Sequence, residues 1–569
     1  MDDWLWPYDD LNQLYAVQEL PWGDWLTYTV YQPLVAVNEV AEYQQGTIQY
    51  LPGLAQNWTI STNGTVYTFN LRQGVHFSNG DPFNAYQAWM EMYGFYYISA
   101  NSSAWLESYN LFNMSLVNFG PATIALINQS GLINPSQQAL SVMQNSSWPI
   151  YATSPSQIVF HLKAPFTWFP GALIVFDGLM FDTQWVLNHG GFGTAAAINS
   201  YFNQHAIPGT GPYDVTNVVE SSYVQFAQDP NYWARNWTQA EITANPIFDP
   251  GHVKNVIVNS KPDDLTRYTD LSTGAAQLVT IETADWNLIA SNPAYSYFKL
   301  PLWGGIVSYI YFNMNTYPTN ITDVRLAIAH SINYTQLYQQ AFLGQMSPYV
   351  GPEYPAWSQF YDLGNYSQYQ YNVTLAKQYL AKASIANFPT LNFDVSSGST
   401  AEINLAQVLQ SDLAQIGITM NLNVIIPAQF GSLYGSYQFN IHNAQNQPQL
   451  GCNCGWAPAA LTPADYWVSF LSNQSGWGNF GGYSDPIVQS CINAFTSTTN
   501  VTEIRSLCST AQAEINNTAP VAWLGINGLF AAGIGSLVWK NGVINPNFLV
   551  DPVWDGQDTM PIFNTISFA

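Results

Sequence analysis

The clearest secondary-structure pattern in the chain lies in residues 391–425, which read LNFDVSSGSTAEINLAQVLQSDLAQIGITMNLNVI. The first residues alternate between apolar and polar, as in a strand with one buried face. Apolar residues three or four positions apart then form a helical stripe: Leu405, Leu409, Leu413 and Ile416. Gly417 follows at the position where helices favour glycine, and alternation resumes from Ile418. Strand, helix and strand at this spacing predict a parallel βαβ unit, and hence an α/β fold.

A second region predicts a small antiparallel sheet. Two β-rich runs, residues 57–61 and 66–71, flank Asn63-Gly64. An Asn-Gly pair between such runs predicts a hairpin with a type I′ turn, in which both central residues have positive φ. An aromatic helix is expected over residues 85–98, and residues 158–162 alternate like a further strand of the same sheet.

The rest of the chain shows no internal repeat and no low-complexity linker. Thr322-Asp323 predicts the start of a helix that runs to about Phe342. A length of 569 residues suits two or three packed lobes rather than one core. We therefore expect lobes that are tightly joined or interleaved in sequence.

The composition excludes several classes of protein. Charged residues make up 8% of the chain, and 12 basic residues face 36 acidic ones, for a net charge of −24. Phosphate binding needs clustered Lys and Arg, so nucleic acid is not an expected partner. A hydrophobic content of 47% argues against disorder, and no apolar run reaches the length of a membrane span.

The scarcity of charge also suggests adaptation to acid. At a pH of about 2 to 3 most carboxylates are neutral. Only the 12 Lys and Arg and the 7 His would then carry charge, which keeps self-repulsion small. The alternative is an exported protein that is merely acidic.

Two features indicate an oxidising, extracellular setting. The four cysteines, Cys452, Cys454, Cys491 and Cys508, are an even number and allow three disulfide connectivities. Cys491 and Cys508 lie on two predicted helices joined near residues 496–501, where an antiparallel pair would bring them together. Metal binding is the alternative for Cys452-Asn-Cys454, but no His-rich cluster accompanies it.

The second feature is a set of 14 Asn-X-Ser/Thr triplets, which are candidate glycosylation sites of an exported protein. They begin at Asn57, Asn63, Asn101, Asn113, Asn128, Asn145, Asn236, Asn320, Asn333, Asn365, Asn372, Asn473, Asn500 and Asn516. The N-terminal residues lack the basic and apolar regions of a signal peptide. We expect an extracellular, surface-associated protein whose export signal and anchor are not found in this sequence.

Sequence motifs for catalysis are missing. The seven His are isolated, and the chain has no P-loop, no nucleophile elbow and no dinucleotide-binding glycine motif. Adjacent acids such as Asp263-Asp264 are found in many solvated surfaces. We therefore expect a protein that is not an enzyme and has neither cofactor nor metal.

Aromatic residues are unusually abundant, with 21 Trp, 36 Tyr and 30 Phe. Most are expected in the core. Several Trp lie in glycine- or proline-containing segments typical of loops, where a ring offers a platform for a flat, weakly polar ligand. These ligand-binding candidates, for each of which core packing is the alternative, are Trp22, Trp25, Trp303, Trp357 and Trp456.

The chain resembles the extracellular solute-binding proteins of dipeptide/oligopeptide-type ABC transporters, known as family 5. The resemblance lies in blocks that follow the family's order along the chain. They are LAQNW at 54–58, YTFNLRQGVHF at 67–77, NGDPFNA at 79–85, GTGPY at 209–213, DPNYW at 229–233, FN at 312–313, DVRLAI at 323–328, and residues 406–418, which end in IGI. It looks like an archaeal, thermophilic and acidophilic member.

The resemblance implies a periplasmic-binding-protein-like type II fold of cluster C, with two α/β lobes, a hinge and an extra inserted domain. The implied division is lobe I in 1–45, 173–290 and 524–569, the inserted domain in 46–172, and lobe II in 291–523. It also implies a monomer that captures a small ligand by hinge closure and delivers it to a membrane permease.

One departure from the family pattern concerns the ligand. Peptide binders of the family resemble Gly-Trp-x-x-Asp, in which the Asp pairs with the peptide ammonium group. Gly455-Trp456 matches, but Ala459 occupies the Asp position, and a buried ammonium without a partner is costly. Asp465 is the nearest acid downstream. We therefore expect a neutral oligosaccharide, such as a glucose disaccharide or short oligomer. The alternatives are an oligopeptide with a relocated anchor and a surface glycoprotein without transport function.

Overall fold

The structure is a computed structural model of the 569-residue chain. It describes residues 1–3, 12, 14, 28–38, 41, 48–99, 111–174, 178–219, 222–261, 263–281, 286–299, 306–352, 357, 369–397, 399–426, 429, 448–456, 462–464, 467, 479, 481–527, 530–534, 539–540, 543–544 and 566. None of the helices in these ranges is long and apolar enough to cross a membrane.

The strands, numbered along the chain, are β1 Asp2–Asp3, β2 Gln32–Pro33, β3 Val35–Val37, β4 Tyr50–Pro52, β5 Ala55–Ile60, β6 Val66–Leu71, β7 Ile150–Ser154, β8 Gln157–His161, β9 Leu179–Met180, β10 Gly193–Thr194, β11 Ala197–Ile198, β12 Tyr213–Val219, β13 Tyr223–Gln228, β14 Asn255–Ser260, β15 Leu278–Ile281, β16 Tyr295–Lys299, β17 Ile306–Phe312, β18 Ser347–Pro348, β19 Leu391–Ser396, β20 Met420–Ile425, β21 Leu450–Trp456, β22 Val521–Asn527, β23 Phe530–Ile534, β24 Trp539–Lys540 and β25 Val543–Ile544.

The α-helices are α1 Ala85–Ser99, α2 Pro121–Ser130, α3 Gln137–Met143, α4 Phe169–Ala172, α5 Thr183–Asn188, α6 Gln239–Ala244, α7 Asp264–Thr273, α8 Trp286–Ala290, α9 Thr322–Ser331, α10 Tyr334–Gln340, α11 Val373–Lys382, α12 Thr400–Gln415, α13 Pro486–Phe495 and α14 Val501–Thr518. Short 3₁₀ helices span Met114–Leu116, Ser200–Asn203 and Pro246–Phe248.

The predicted βαβ unit is confirmed and forms one side of a six-stranded sheet, in the order β18-β22-β17-β21-β19-β20. Strands β19 and β20 are parallel, with Phe393 opposite Leu422, and α12 connects them. Gly417 has φ +85°, the left-handed conformation that glycine adopts without a side-chain clash. Apolar side chains fill both faces of the sheet, because Tyr309 and Phe312 of β17 belong to different hydrophobic clusters.

A seven-stranded sheet gathers strands from distant parts of the chain, in the order β12-β13-β14-β1-β15-β23-β16. Strand β1 lies between β14 and β15 and is parallel to both. Strand β23, near the other end of the chain, lies between β15 and β16 and is antiparallel to them. The α/β unit around this sheet is therefore completed by both terminal regions of the sequence.

A separate four-stranded antiparallel sheet, in the order β5-β6-β8-β7, contains the predicted hairpin and the predicted strand near residue 160. The type I′ turn is wrong. The backbone N–H of Gly64 donates to the carbonyl of Ser61, and only Gly64 of the Asn63-Gly64 pair has positive φ. Asn63 instead uses its side-chain oxygen to accept a hydrogen bond from Ser61 Oγ. The longer loop removes the need for a left-handed Asn.

The predicted aromatic helix is α1, whose Trp89 stacks on Trp148.

The single helix predicted from Thr322 to Phe342 is two helices, α9 and α10. Ile332, which follows α9, has extended backbone, and the Asn333 side chain accepts a hydrogen bond from the Gln336 N–H as the cap of α10. An Asn cap stabilises a new helix start, which is why an apolar pattern that continues through this region does not give one helix.

The chain passes between the seven-stranded and six-stranded sheets within residues 300–305 and 528–529, because β16 and β23 belong to one sheet and β17 and β22 to the other. The five-segment domain division given above remains a proposal.

Candidate functional site

In each of the two large sheets, the parallel strands end at one common edge. In the seven-stranded sheet, Asp3, Ser260 and Ile281 end β1, β14 and β15 at one edge, and Lys299 of β16 lies opposite Phe530 there. In the six-stranded sheet, Ser396, Ile425 and Trp456 end β19, β20 and β21.

Both connections between the sheets leave from these edges. In the six-stranded sheet, Ile306 at the start of β17 pairs with Asn527 at the end of β22. The next residue, Val307, pairs with Trp456 at the end of β21. The chain therefore enters and leaves this sheet beside the end of β21. Open α/β sheets bind ligands outside the carboxyl ends of their strands. The candidate ligand site is therefore the cleft between these two edges.

Trp456 lies at this cleft edge, although the reason given for it from the sequence is wrong. It was expected in a loop because of Gly455 and Pro458. It is the last residue of strand β21, in register with Val307. Its side chain lies outside the part of the chain that the structure describes. Its role in ligand binding stays a prediction.

The other predicted platform residues divide into two groups. Trp357 has a side chain that is 6% exposed and belongs to the largest hydrophobic cluster, so its surroundings favour the core-packing alternative. Trp22, Trp25, Trp303 and the acid Asp465 lie outside the described residues, as does Ala459.

The prediction of disulfides is confirmed by a bond between Cys491 and Cys508, a pairing that the sequence left among three possible connectivities. The bond joins α13 to α14 with a Cα–Cα distance of 4.9 Å, and both cysteines are fully buried. Cys452 is also disulfide-bonded, while the side chain of Cys454 lies outside the described part. Within the described residues, no cluster of His, Cys, Asp or Glu suits a metal ion.

Most of the described sequons have an accessible Asn. The exposed ones are Asn57, Asn63, Asn113, Asn128, Asn236, Asn320, Asn372 and Asn500. The half-buried ones are Asn145, Asn333 and Asn516, and Asn101, Asn365 and Asn473 lie outside the described residues. Asn333, Asn372 and Asn500 cap helices, which gives part of the sequon pattern a structural cause. Glycosylation stays a prediction.

Buried Arg267 holds two strand ends at the cleft edge of the seven-stranded sheet. Its Nε donates to the carbonyl of Thr280 in β15 at 3.0 Å, and its NH1 group donates to the carbonyl of Lys261, just after β14, at 2.7 Å. Its NH2 group lies 2.9 Å from Asp264 Oδ1. Sequence reasoning missed this residue. The available signal was a lone Arg one turn after the Asp263 helix cap.

Buried Arg325 likewise binds backbone carbonyls, here at a helix end beside the six-stranded sheet. Its guanidinium donates to the carbonyls of Thr518 and Ala519 at the end of α14, and to that of Thr319. Burial lowers its pKa to about 10. These two of the chain's few basic groups thus stabilise backbone carbonyls inside the lobes.

The family blocks at 67–77, 209–213 and 229–233 come together between the four-stranded and seven-stranded sheet units. The Arg72 guanidinium lies over the rings of Trp233 and Trp237, with its central carbon 4.9 and 5.5 Å from their centroids. The Ser78 N–H donates to the Gly209 carbonyl. The blocks therefore join the two units rather than contribute to the cleft edges.

Several carboxyl groups are buried or half-buried, and loss of solvent raises the pKa of each. The clearest is Asp182, which is fully buried and has its pKa raised to about 6. Asp214, Asp229, Asp394 and Asp412 have pKa values raised by the same cause. Each of these groups is therefore neutral over a wider range of acidic pH than a solvated carboxylate.

The comparisons with known proteins agree with this architecture. Residues 49–478 match the sequence profile described as bacterial extracellular solute-binding proteins, family 5 Middle. The chain is 27% identical to di/tripeptide-binding protein 2 of Pseudomonas aeruginosa over 390 residues, which are 68% of this chain and 65% of that protein. It is 25% identical to the glutathione-binding protein GsiB of Salmonella typhimurium over 482 residues, 82% and 78% of the two chains.

Solved structures share the fold. The dipeptide-binding protein of Pseudoalteromonas sp. SM9913, in complex with Met-Leu, superposes with a TM-score of 0.72 over 98% of this chain and 100% of that one, at 16% identity. NikZ of Campylobacter jejuni, in complex with Ni(L-His), gives a TM-score of 0.70 over 96% and 95%, at 17% identity. The chain has the type II periplasmic-binding-protein fold with two α/β lobes, and it belongs to the family 5 extracellular solute-binding proteins, the substrate-binding components of ABC importers.

Proposed function

We propose that this binding protein captures a short peptide or a peptide-like ligand and delivers it to its membrane permease. The observation that carries the proposal is the ligand class in the names of its relatives: di- and tripeptides, and glutathione, which is itself a modified tripeptide. A nickel-binding periplasmic protein of Escherichia coli, 26% identical over 69% of this chain and 65% of that protein, widens the range of ligands that the family accepts. Family members are extracellular or periplasmic, and attachment to the cell surface is a further proposal.

The proposal requires a new partner for the peptide ammonium group, because Ala459 stands where peptide binders have Asp. Asp465 is one candidate. Glu282 and Asp285 are others, since they come within four residues after Ile281 in the sequence, and Ile281 ends β15 at the edge of the seven-stranded sheet named above. An acid from that lobe would neutralise the ammonium without rebuilding the segment after Trp456.

Calorimetric titration with trialanine, its N-acetylated form, glutathione and maltose tests the ligand class. Trialanine is expected to bind, and N-acetyl-trialanine, which has no ammonium, is expected to bind at least tenfold more weakly. Asp465→Asn, Glu282→Gln and Asp285→Asn then identify the anchor: the variant that lacks it binds both peptides equally. Binding of maltose without binding of any peptide would overturn the proposal.

A neutral oligosaccharide is the second candidate. The relatives do not support it, since the names above refer to peptides, glutathione or nickel. The observation in its favour is Ala459 together with the aromatic content of the chain. The maltose titration distinguishes the oligosaccharide hypothesis from the peptide hypothesis.

A further inference from the structure

An aromatic contact joins the four-stranded sheet unit to the lobe built on the six-stranded sheet. Trp168 lies directly before α4, and Phe495 is the last residue of α13. Their ring centroids are 5.7 Å apart with an interplanar angle of 68°, an edge-to-face arrangement. Trp168 is 7% exposed and Phe495 is fully buried. The contact thus excludes solvent from both rings.

Each ring is held by its own unit. On one side, Phe169 packs into the four-stranded sheet unit, with its ring centroid 5.2 Å from that of Phe160. Trp168 itself contacts Phe166 at 6.0 Å.

On the other side, Cys491 lies one helical turn before Phe495 on the same face of α13 and is bonded to Cys508 of α14. The disulfide therefore holds the end of α13 against its neighbouring helix.

The two units attach to opposite sides of the cleft. The four-stranded sheet unit is joined to the seven-stranded sheet unit by Arg72, over Trp233, whereas α13 and α14 precede β22 of the six-stranded sheet. Proteins of this fold bind by closing their lobes, and apparent affinity scales with the fraction of molecules in the binding-competent state. We infer that the arrangement in which these two rings touch is the closed one, and that Trp168 and Phe495 are positioning residues that stabilise it and so set ligand affinity from outside the cleft edges.

Small-angle X-ray scattering of the unliganded protein tests the inference without depending on the ligand class. Trp168→Leu and Phe495→Leu are each expected to increase the radius of gyration, through about a tenfold shift of the open-to-closed ratio, equivalent to about 1.4 kcal/mol. The double variant should expand no further than either single one, since both remove one contact. A wild-type radius in both single variants would overturn the inference.

Trp148→Leu is a matched control. Trp148 is also 7% exposed, but it stacks on Trp89 within the four-stranded sheet unit, with centroids 5.9 Å apart. The Trp148→Leu variant should have a lower melting temperature and an unchanged radius of gyration. Equal expansion in this control would attribute the effect to general loosening and refute the inference.

Two further variants test the inference even if Trp168→Leu does not fold. Trp168→Phe keeps an aromatic ring in the unit but shortens its reach, and should give a smaller expansion of the same sign. Cys491→Ala/Cys508→Ala releases α13 from α14 and should reproduce the expansion of Phe495→Leu. Failure of both to expand would contradict the inference even if Trp168→Leu does not fold.

Discussion

Replacing Asp182 with Asn should change how the stability of this protein depends on pH. The carboxyl is fully buried, and its oxygens accept hydrogen bonds from Asn79 Nδ2 at 2.7 Å, Gln87 Nε2 at 3.2 Å and the Trp185 N–H at 3.0 Å. None of these donors carries a charge. Burial therefore dominates and raises the pKa from 3.8 to about 6.

The sign follows from linkage between protonation and folding. Between these two values the unfolded chain releases a proton that the folded protein keeps, so stability falls as pH rises. The contribution is fully present below pH 3.8 and is lost through about pH 6. A shift from 3.8 to about 6 corresponds to about 3 kcal/mol of the free energy of unfolding.

Asp182→Asn removes this titration. At a pH of about 3 the variant should be less stable than the wild type by about 1 kcal/mol, because the amide nitrogen that replaces Oδ2 cannot accept the hydrogen bond from Asn79 Nδ2. At pH 7 it should be more stable by about 2 kcal/mol, since the wild type there buries a charge. Urea denaturation at a series of pH values measures both differences.

The control is Asp263→Asn. Asp263 caps α7, its carboxyl is exposed, and hydrogen bonds from Thr266 lower its pKa. In Asp263→Asn, the free energy of unfolding should fall with rising pH above pH 4 as steeply as it does in the wild type. The reasoning is refuted if wild-type stability rises between pH 4 and 6, or if Asp182→Asn keeps the wild-type slope. Cooperative unfolding of the wild type with a midpoint above pH 4 on acidification would also refute the acid-adapted interpretation of the composition.

The remaining predictions address the cleft edge, a helix end and the surface. Arg267→Met should lower the free energy of unfolding by about 3 kcal/mol or more, because two strand-end carbonyls and a carboxylate lose their buried partner; Arg267→Lys should recover part of it in the same denaturation assay. Gly417→Ala should cost about 1–2 kcal/mol through its left-handed backbone alone, since an added Cβ would meet no atom within 4 Å. Trp456→Ala should weaken ligand binding by about 10- to 150-fold at an unchanged melting temperature, and a lower melting temperature with unchanged affinity would make it a packing residue. Mass spectrometry of protein from its native host should find glycans first at exposed sequons such as Asn57 and Asn63, and unmodified peptides there would reject the glycoprotein reading.

Local patterns in the sequence determined the parts of the fold whose stabilising contacts are close in the chain. The 391–425 unit was predicted because the periods of helix and strand place apolar groups on one face whatever surrounds them. The hairpin was predicted from the Asn63-Gly64 pair between two β-rich runs, and the two predicted helices allowed the pairing of Cys491 with Cys508. Where a short-range alternative competed, the pattern failed: Asn333 starts a new helix, and the hairpin loop is longer than the type I′ turn. The blocks of the family resemblance extended the prediction to two lobes and a ligand-binding role.

The tertiary structure alone decided which distant segments share the cleft. Strand β1 lies beside β14 and β15, and β21 ends beside the two connections between the sheets, although nothing in the local pattern of Asp2–Asp3 or Leu450–Trp456 specifies those neighbours. The inward direction of Arg267, the raised pKa of Asp182 and the contact of Trp168 with Phe495 have the same origin. Burial and electrostatic environment depend on groups far apart in sequence, so they arise only when the chain has folded and water has been excluded around them.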